Sequence, residues 1–574
     1  MQISHLNGVI QRDRFNSISR WIAPFFISQR ADLLKVFMLS MIAIALSFLQ
    51  PLLTKQIIDN GIISKELNSL LISGLCMFAI AIISPLVGYY TRRFYVSAST
   101  QISHRMREEL FKQVLKFRAE DLANYHRGDL LTRLDGDLAE VQRFAMDTVM
   151  SSINSFVILV GTIAILGSMN VWLTLFVITI FVLNALLLKI IRPKLERISK
   201  RARELGVALT SHLVERIGGI RHVQSNNAEE YEVNNLKKLH KNIFDCSLDV
   251  QAVGYMATAF PNLIMTLGVV IIFVYGGISI VNNDGMTLGM LVAFATYAQR
   301  VSGPLQSFSG VYVAWQRAKV SINRIIPILE QAGATEKSNE CGGDANGDRM
   351  GEIFVNGLSF GYPNTLKKVV DKASLFIGKG QKIHLTAPSG SGKSTLIDLL
   401  VGQQLPQKGE IFVCGEKVAN QSLEFIRKNV KVVPGEPVLF TGSLLDNIRY
   451  GNPCCDIAEV KGIVEMLRLD KDFGSIDDYR DCRIGYDGRA LSVGQRQRVA
   501  LGAALLSKPA ILILDEALSG VEIELEKHIL KEIDVRFPLM TKIYVSHRVD
   551  SASKYDFRIF IDSGSLCVFD ETMA

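Results

Sequence analysis

From Thr148 to Leu188 the chain carries no charged residue. One membrane-crossing helix needs roughly 20 apolar residues, so this run reads as two spans. The tight turn between them falls near Gly167-Ser168-Met169-Asn170. Counting this pair, spans are expected near residues 33–55, 67–91, 146–167, 170–190, 254–281 and 287–314, the last broken by Arg300. Any one run could be a buried helix of a soluble protein. Six in one half of a chain argue against that.

An even number of spans puts both ends on one side. The short connections at Asp59–Glu66, Gly167–Asn170 and Asn282–Met286 hold one basic residue, Lys65. The long ones, about Arg92–Arg143 and Lys189–Asp249, are rich in Lys and Arg. The positive-inside bias therefore places both termini and both long connections on the cytoplasmic side of a cytoplasmic (inner) membrane. The net charge of +7 is read the same way, as a membrane face and not a nucleic-acid surface. The long connections keep helical spacing and are expected to carry the spanning helices into the cytosol. Each holds a candidate turn, Tyr125–Asp137 and Glu215–Asn226. Residues 1–30 form a basic, amphipathic segment suited to the membrane surface. No cleavable signal peptide is visible. The eight cysteines show no metal-ligand spacing and read as free thiols.

The membrane domain is expected over 31–329, a polar, Gly-rich linker over 330–350, and a second domain over 351–574. In that domain short apolar runs alternate with helical segments, the pattern of an α/β fold. Ile383–Thr386, Val430–Val433 and Ile511–Leu514 read as buried strands. The first leads into "APSGSGKST", a strand–turn–helix that suits a phosphate-binding P-loop. Ala387, Pro388, Ser389, Gly390, Ser391, Gly392, Lys393, Ser394 and Thr395 are the candidate nucleotide contacts. Backbone N–H groups of Gly390–Lys393 would face the β-phosphate, Lys393 would add charge, and the Ser394 hydroxyl would meet Mg²⁺. Ala387 stands where such loops begin with glycine. "ILILDE" ends in two carboxylates: Asp515 can reach the metal, and Glu516 can polarise an attacking water.

These residues resemble the ATP-binding cassette (ABC) transporters, and more narrowly an exporter half-transporter. The implied fold is an all-α six-helix transmembrane domain followed by an α/β P-loop NTPase cassette. The resemblance implies ATP as substrate and Mg²⁺ as cofactor. It also implies a second half-transporter as partner, because one cassette's signature closes the other's ATP site; a homodimer is favoured and a heterodimer stays open. The signature is "LSVGQ", with Ser492, Val493, Gly494 and Gln495, valine replacing the family's first glycine. By resemblance Tyr362 stacks on adenine, His547 meets the γ-phosphate, and Glu522 stands in the D-loop where Asp is usual. Gly435 occupies the Q-loop position, where the family has Gln touching Mg²⁺. The turns at Tyr125–Asp137 and Glu215–Asn226 resemble coupling helices.

Cargo is less legible. Arg300 is an intramembrane charge and so a functional candidate, and Tyr297, Arg300 and Ser307 recur at helical spacing. They are the candidate cargo path, with Arg300 favouring an anionic cargo. A peptide, a lipid or a drug-like natural product all fit. Two other readings are an impaired half of a heterodimer, which Gly435, Val493 and Glu522 favour, and an ATP-gated channel.

Overall fold

The computed structural model describes residues 20–574 except 124, 126, 283, 340–350, 363–367, 389, 420–422, 476, 486–490, 547–554, 563 and 571–574. The chain forms two compact units, Met1–Glu109 with Leu131–Ile326, and Leu110–Leu130 with Pro327–Ala574.

The helices of the first half are α1 (Arg30–Ile63), α2 (Leu67–Leu115), α3 (Ala119–Ala123), α4 (Gly128–Met169), α5 (Val171–Gly218), α6 (Ile220–Ser225), α7 (Glu229–Val281), α8 (Leu288–Arg300) and α9 (Ser302–Asn339). Among the described residues α1, α2, α4, α5 and α7 are long and apolar enough to cross a membrane. Their outward faces carry Leu75, Phe78, Trp172 and Ile190 exposed, as a lipid solvent requires. At 53 residues α7 is about 80 Å long, far beyond a bilayer core of about 30 Å. The long connections are thus helical extensions, as their residue spacing implies.

The expected sixth span is divided at Val301 between α8 and α9. Pro304 supplies the cause: it has no N–H to give the carbonyl of Arg300. Close packing in the first unit depends on small residues. A Cβ on Gly268 would lie 2.3 Å from Ile180 Cδ1, so α7 meets α5 backbone to side chain. Asn170 starts α5 by accepting the Leu173 N–H at 3.0 Å. The expected linker starts later than residue 330, since α9 continues through Asn339. Glu330, Gln331, Ala332 and Lys337 are good helix formers.

The second unit holds two principal sheets. Its strands are β1 (Ile353–Phe360), β2 (Val370–Ile377), β3 (Lys382–Thr386), β4 (Lys408–Val413), β5 (Glu416–Lys417), β6 (Val430–Pro434), β7 (Gly442–Ser443), β8 (Arg483–Ile484), β9 (Ile511–Asp515), β10 (Thr541–Val545), β11 (Phe557–Asp562) and β12 (Ser565–Asp570). One sheet is antiparallel, in the order β2-β1-β4-β5. The other runs β12-β11-β3-β10-β9-β6, parallel except for β12. The three strands read from sequence, β3, β6 and β9, all lie in this sheet. Being parallel, they end on one edge, where ligands of open α/β sheets bind. The main helices are α10 (Lys393–Leu400), α11 (Leu423–Asn429), α12 (Val493–Leu506) and α13 (Ile523–Arg536). One core joins Ile383, Leu385, Leu396 and Ile513 under the P-loop. A second gathers Val499, Leu501 and Leu505 of α12 with Val460 and Leu467.

Candidate active site

β3 hands the chain to the P-loop at Thr386. Ala387 buries its methyl in the core and does not have a positive φ, so nothing at this position requires glycine. Gly390 and Gly392 do need their freedom, with φ of 77° and 105°. A Cβ on Gly392 would meet Val369 Cγ1 at 2.6 Å. Lys393 opens α10, and its ammonium donates to the carbonyls of Ala387 (2.7 Å) and Pro388 (3.4 Å). The Ser391 hydroxyl is buried without a hydrogen-bond partner. Ser394 is exposed, whereas Thr395 is buried and shares a 3.1 Å hydrogen bond with the Tyr362 hydroxyl. A loop with an orphaned hydroxyl, a lysine curled over carbonyls and an outward serine fits a polyphosphate with a divalent cation. Tyr362 itself packs edge-on against Phe360 and stays 39% exposed, which leaves ring surface for a base. Ser389 and His547 lie outside the described residues.

β9 ends at Asp515, and Glu516 follows with φ of 54°, a left-handed conformation rare for a non-glycine residue. Its N–H donates to the Val545 carbonyl at 2.9 Å, so β10 holds the strained residue in place. Burial raises the Asp515 carboxyl above its ordinary value, the charge of Glu516 adds to this, and Lys393 opposes it. A raised folded-state value means that this group stabilises the fold at low pH and that the contribution is lost as pH rises through that value. At neutral pH the ionised, half-buried Asp515 therefore costs stability in the empty cassette. Asp515→Asn is expected to raise the thermal midpoint of nucleotide-free protein at pH 7, with little gain near pH 4. Thermal unfolding of both proteins across this range checks it.

β6 pairs with β9 so that Pro434 lies opposite Asp515, which brings Gly435 beside Glu516. A Cβ at 435 would sit 3.3 Å from both Glu516 Cβ and its carbonyl oxygen. The Q-loop position is engaged instead through its main chain. Gln497 of α12 is fully buried, and its Nε2 donates to the Gly435 carbonyl (2.7 Å) and to Ser519 Oγ (3.1 Å). Its Oε1 accepts the Gly520 N–H at 2.9 Å. One amide thus joins the Q-loop to the D-loop. Sequence reasoning passed over Gln497; its only signal is that it falls one helical turn after Val493.

The signature starts α12. Ser492 Oγ accepts the Gln495 N–H (3.2 Å) and Gln495 Oε1 accepts the Ser492 N–H (3.0 Å), a capping box. The cap uses a lone pair of the Ser492 hydroxyl and leaves its proton to donate elsewhere. A Cβ on Gly494 would stand 2.5 Å from the Gly520 carbonyl, so this glycine is obligatory. Val493 packs against Gly520: a Cβ built there would be 2.7 Å from Val493 Cγ1. The valine therefore rests on the D-loop. Glu522 precedes α13 as its N-cap residue.

Another contact was not foreseen. In the second unit, the segment around α3 binds the cassette through backbone groups. The Ala119 N–H donates to Gln403 Oε1 (2.8 Å), and the Arg427 guanidinium donates to the carbonyls of Leu115 (3.2 Å) and Phe117 (3.1 Å). Residues 115–120, just upstream of the expected Tyr125–Asp137, thus dock on the cassette. Arg427→Ala is expected to speed amide exchange over 115–120 roughly 10–100-fold, because charge-assisted hydrogen bonds contribute about 1.5–3 kcal/mol. Hydrogen-exchange mass spectrometry reads this directly. The second turn is α6, a short helix between α5 and α7, where Ile220 and, at the end of α5, Ile217 are exposed.

The candidate cargo-path residues Tyr297 and Arg300 both lie in α8. Tyr297 is fully buried and donates its hydroxyl to the Phe48 carbonyl. Arg300 donates to the Ser47 carbonyl at 2.5 Å and to Gln50 Oε1 at 3.5 Å. Both tie α8 to α1, satisfying carbonyls inside the membrane. Ser307 is half-buried in α9.

A P-loop cassette carried on a bundle of membrane-crossing helices defines an ATP-driven membrane transporter. Family comparison narrows this: the ABC transporter transmembrane region matches residues 33–305, and the ABC transporter ATP-binding domain matches 370–519. The chain belongs to the ABC transporters, as an exporter-type half-transporter that couples ATP hydrolysis to transport. It is 25% identical over 528 residues to the uncharacterized ABC transporter ATP-binding protein YfiB of Bacillus subtilis, covering 91% of this chain and 90% of that protein. It is 25% identical over 523 residues to the putative multidrug export ATP-binding/permease protein YgaD of the same organism, covering 90% of each. It is 29% identical over 518 residues to the ATP-dependent lipid A-core flippase of Pseudomonas putida, covering 88% of this chain and 82% of that protein. Its fold matches a bacterial Atm1-family ABC exporter with ATP bound, at 18% identity and a TM-score of 0.76, over 95% of this chain and 96% of that one.

Proposed function

We propose that two copies of this chain assemble in the cytoplasmic membrane, cassettes and termini on the cytoplasmic side, and export an amphipathic cargo by alternating access. The cargo class is a peptide, a lipid or a drug-like natural product. The supporting observation is that one sheet edge collects Lys393, Asp515, Glu516 and Gly435, a core of what one copy supplies to a hydrolytic site. The signature of the second copy, with the free proton of its Ser492 hydroxyl, completes the site. Mg²⁺, when bound, would supply the charge that neutralises the reacting phosphates, and Ser394 and Asp515 would hold it. Glu516 accepts the proton of the attacking water. Lys393 leaves its carbonyls for phosphate oxygens. Closure of the cassettes moves the segment at 115–120, and α6 carries motion to the other copy. ATP drives the change only through its higher affinity for the closed pair. The flippase and multidrug relatives support an apolar or amphipathic cargo.

The test is ATP-dependent movement in sealed vesicles of a fluorescent phospholipid, a fluorescent peptide and a lipophilic dye, with Glu516→Gln as control. Flux of one class that stops in the variant supports the reading. Absence of flux for all three, or a steady ion conductance in planar bilayers, overturns it.

A further inference from the structure

With Arg300 engaged at the α1 backbone, the question of what recognises cargo passes to a cavity elsewhere in the first unit. Between α5, α7 and α9 lies a space of about 290 Å³, close to the smallest volumes that hold organic ligands. Most of its wall is apolar, with Leu188, Leu195, Pro261 and Met265. Asn184 and Arg192 of α5 stand in the same wall, on the helix face that also presents Leu188.

Asn184 is the unusual group. It is 0% exposed, and neither its Nδ2 nor its Oδ1 has a hydrogen-bond partner. Leaving both ends of an amide dry and unpaired is costly, and inside a membrane no bulk water is at hand to relieve it. Asn184 borders a cavity large enough for a small molecule, so the missing partners can come from a ligand. What an amide matches best is another amide, which returns an acceptor for the N–H and a donor for the C=O. Arg192 lies two helical turns on, half-buried, with no carboxylate paired to it among the described residues. Its Cα is about 12 Å from that of Asn184. Helical side chains lean toward the N-terminus, and a long arginine leans further than an asparagine, which shortens the gap to about 8 Å. Glu196, exposed and one turn beyond Arg192, also borders the cavity and disfavours a doubly anionic head.

We propose that this cavity is a cargo site for an amide-bearing amphiphile with one anionic group, the amide held by Asn184 and the anion, about 8 Å away, by Arg192. This rests on the exporter reading and names its substrate class. The unpaired amide is then a specificity device: a site built to hydrogen-bond a group rejects the analogue that lacks it.

The probe is radiolabelled 6-(hexanoylamino)hexanoate, whose amide and carboxylate have this separation. Its partner is the ester 6-(hexanoyloxy)hexanoate, which replaces the N–H by oxygen. Equilibrium binding is measured on the full chain in lipid nanodiscs, without nucleotide. The amide is expected to bind about tenfold or more tightly than the ester. Asn184→Leu is expected to erase that difference and to raise the thermal midpoint, since a dry unpaired amide is removed. Arg192→Gln should weaken both probes alike, by about tenfold. Equal binding of ester and amide, a difference that survives Asn184→Leu, or no saturable binding would each overturn the proposal. The ester comparison needs no variant, so it stands even if Asn184→Leu folds poorly. Because no ATP is present, failure here leaves the exporter reading intact, and loss of ATP-driven flux would leave this binding result intact.

Discussion

Glu516→Gln is expected to lower ATP hydrolysis by roughly 10²–10⁴-fold while ATP still binds. The carboxylate is the group beside the P-loop able to take a proton from water without also serving the metal. Glutamine keeps its size and one acceptor oxygen but cannot accept that proton. The backbone at this position is already committed: φ of 54° is held by the hydrogen bond to Val545. Glutamine enters the same strained conformation at the same cost, so the change isolates the proton transfer. Single-turnover hydrolysis and equilibrium ATP binding separate the two effects. Equal loss of binding and turnover would mean that Glu516 shapes the site and does not act as the base.

Gln497→Leu is expected to reduce kcat about 10–100-fold with little change in KM. Leucine fills nearly the same volume, so packing around α12 survives. What is lost is the pairing of the Gly435 carbonyl and the Gly520 N–H, both reached only by this amide in the described structure. A buried polar group left alone costs about 1–3 kcal/mol, and these two lie on the Q-loop and the D-loop. The loops would then move apart instead of together. Gln497→Glu keeps the acceptor for Gly520 but sets a buried carboxylate against the Gly435 carbonyl, and should lower kcat at least as far. Unchanged kcat in both variants would make Gln497 a packing residue alone. The split between kcat and KM matters, because a general loss of structure would disturb both.

How much of this could be read beforehand depends on whether the chemistry is local in the chain. The P-loop is contiguous and its glycines, lysine and serine stand at fixed offsets, so Gly390, Gly392 and Lys393 were legible. Ala387 looked like a departure, and the fold explains it: its methyl enters the core at a backbone angle any residue accepts. Asp515 and Glu516 were legible because an apolar strand that ends in two carboxylates is rare without a reason. Gln497 was not, because its role exists only where three loops meet. The contacts of Arg300 were not legible, because backbone carbonyls that can satisfy an intramembrane charge are carried by every residue and no sequence pattern marks them. The docking of residues 115–120 was not legible for the same reason, since they are held by main-chain groups. Asn184 drew no notice among its apolar neighbours, as a lone uncharged amide in a span most often finds a partner.

The central claim is that each ATP site is built from two chains, and co-expression of two inactive variants tests it most directly. Lys393→Ala destroys the P-loop of its own chain. Gly494→Asp destroys the signature, where even a Cβ would press on the Gly520 carbonyl at 2.5 Å. Each variant alone is expected to be inactive. In a mixed pair, one site combines an intact P-loop with an intact signature, and the account predicts that hydrolysis returns to a measurable fraction of the unmodified protein. If the mixture stays as inactive as its components, the site is not shared between copies, and the dimeric mechanism is contradicted.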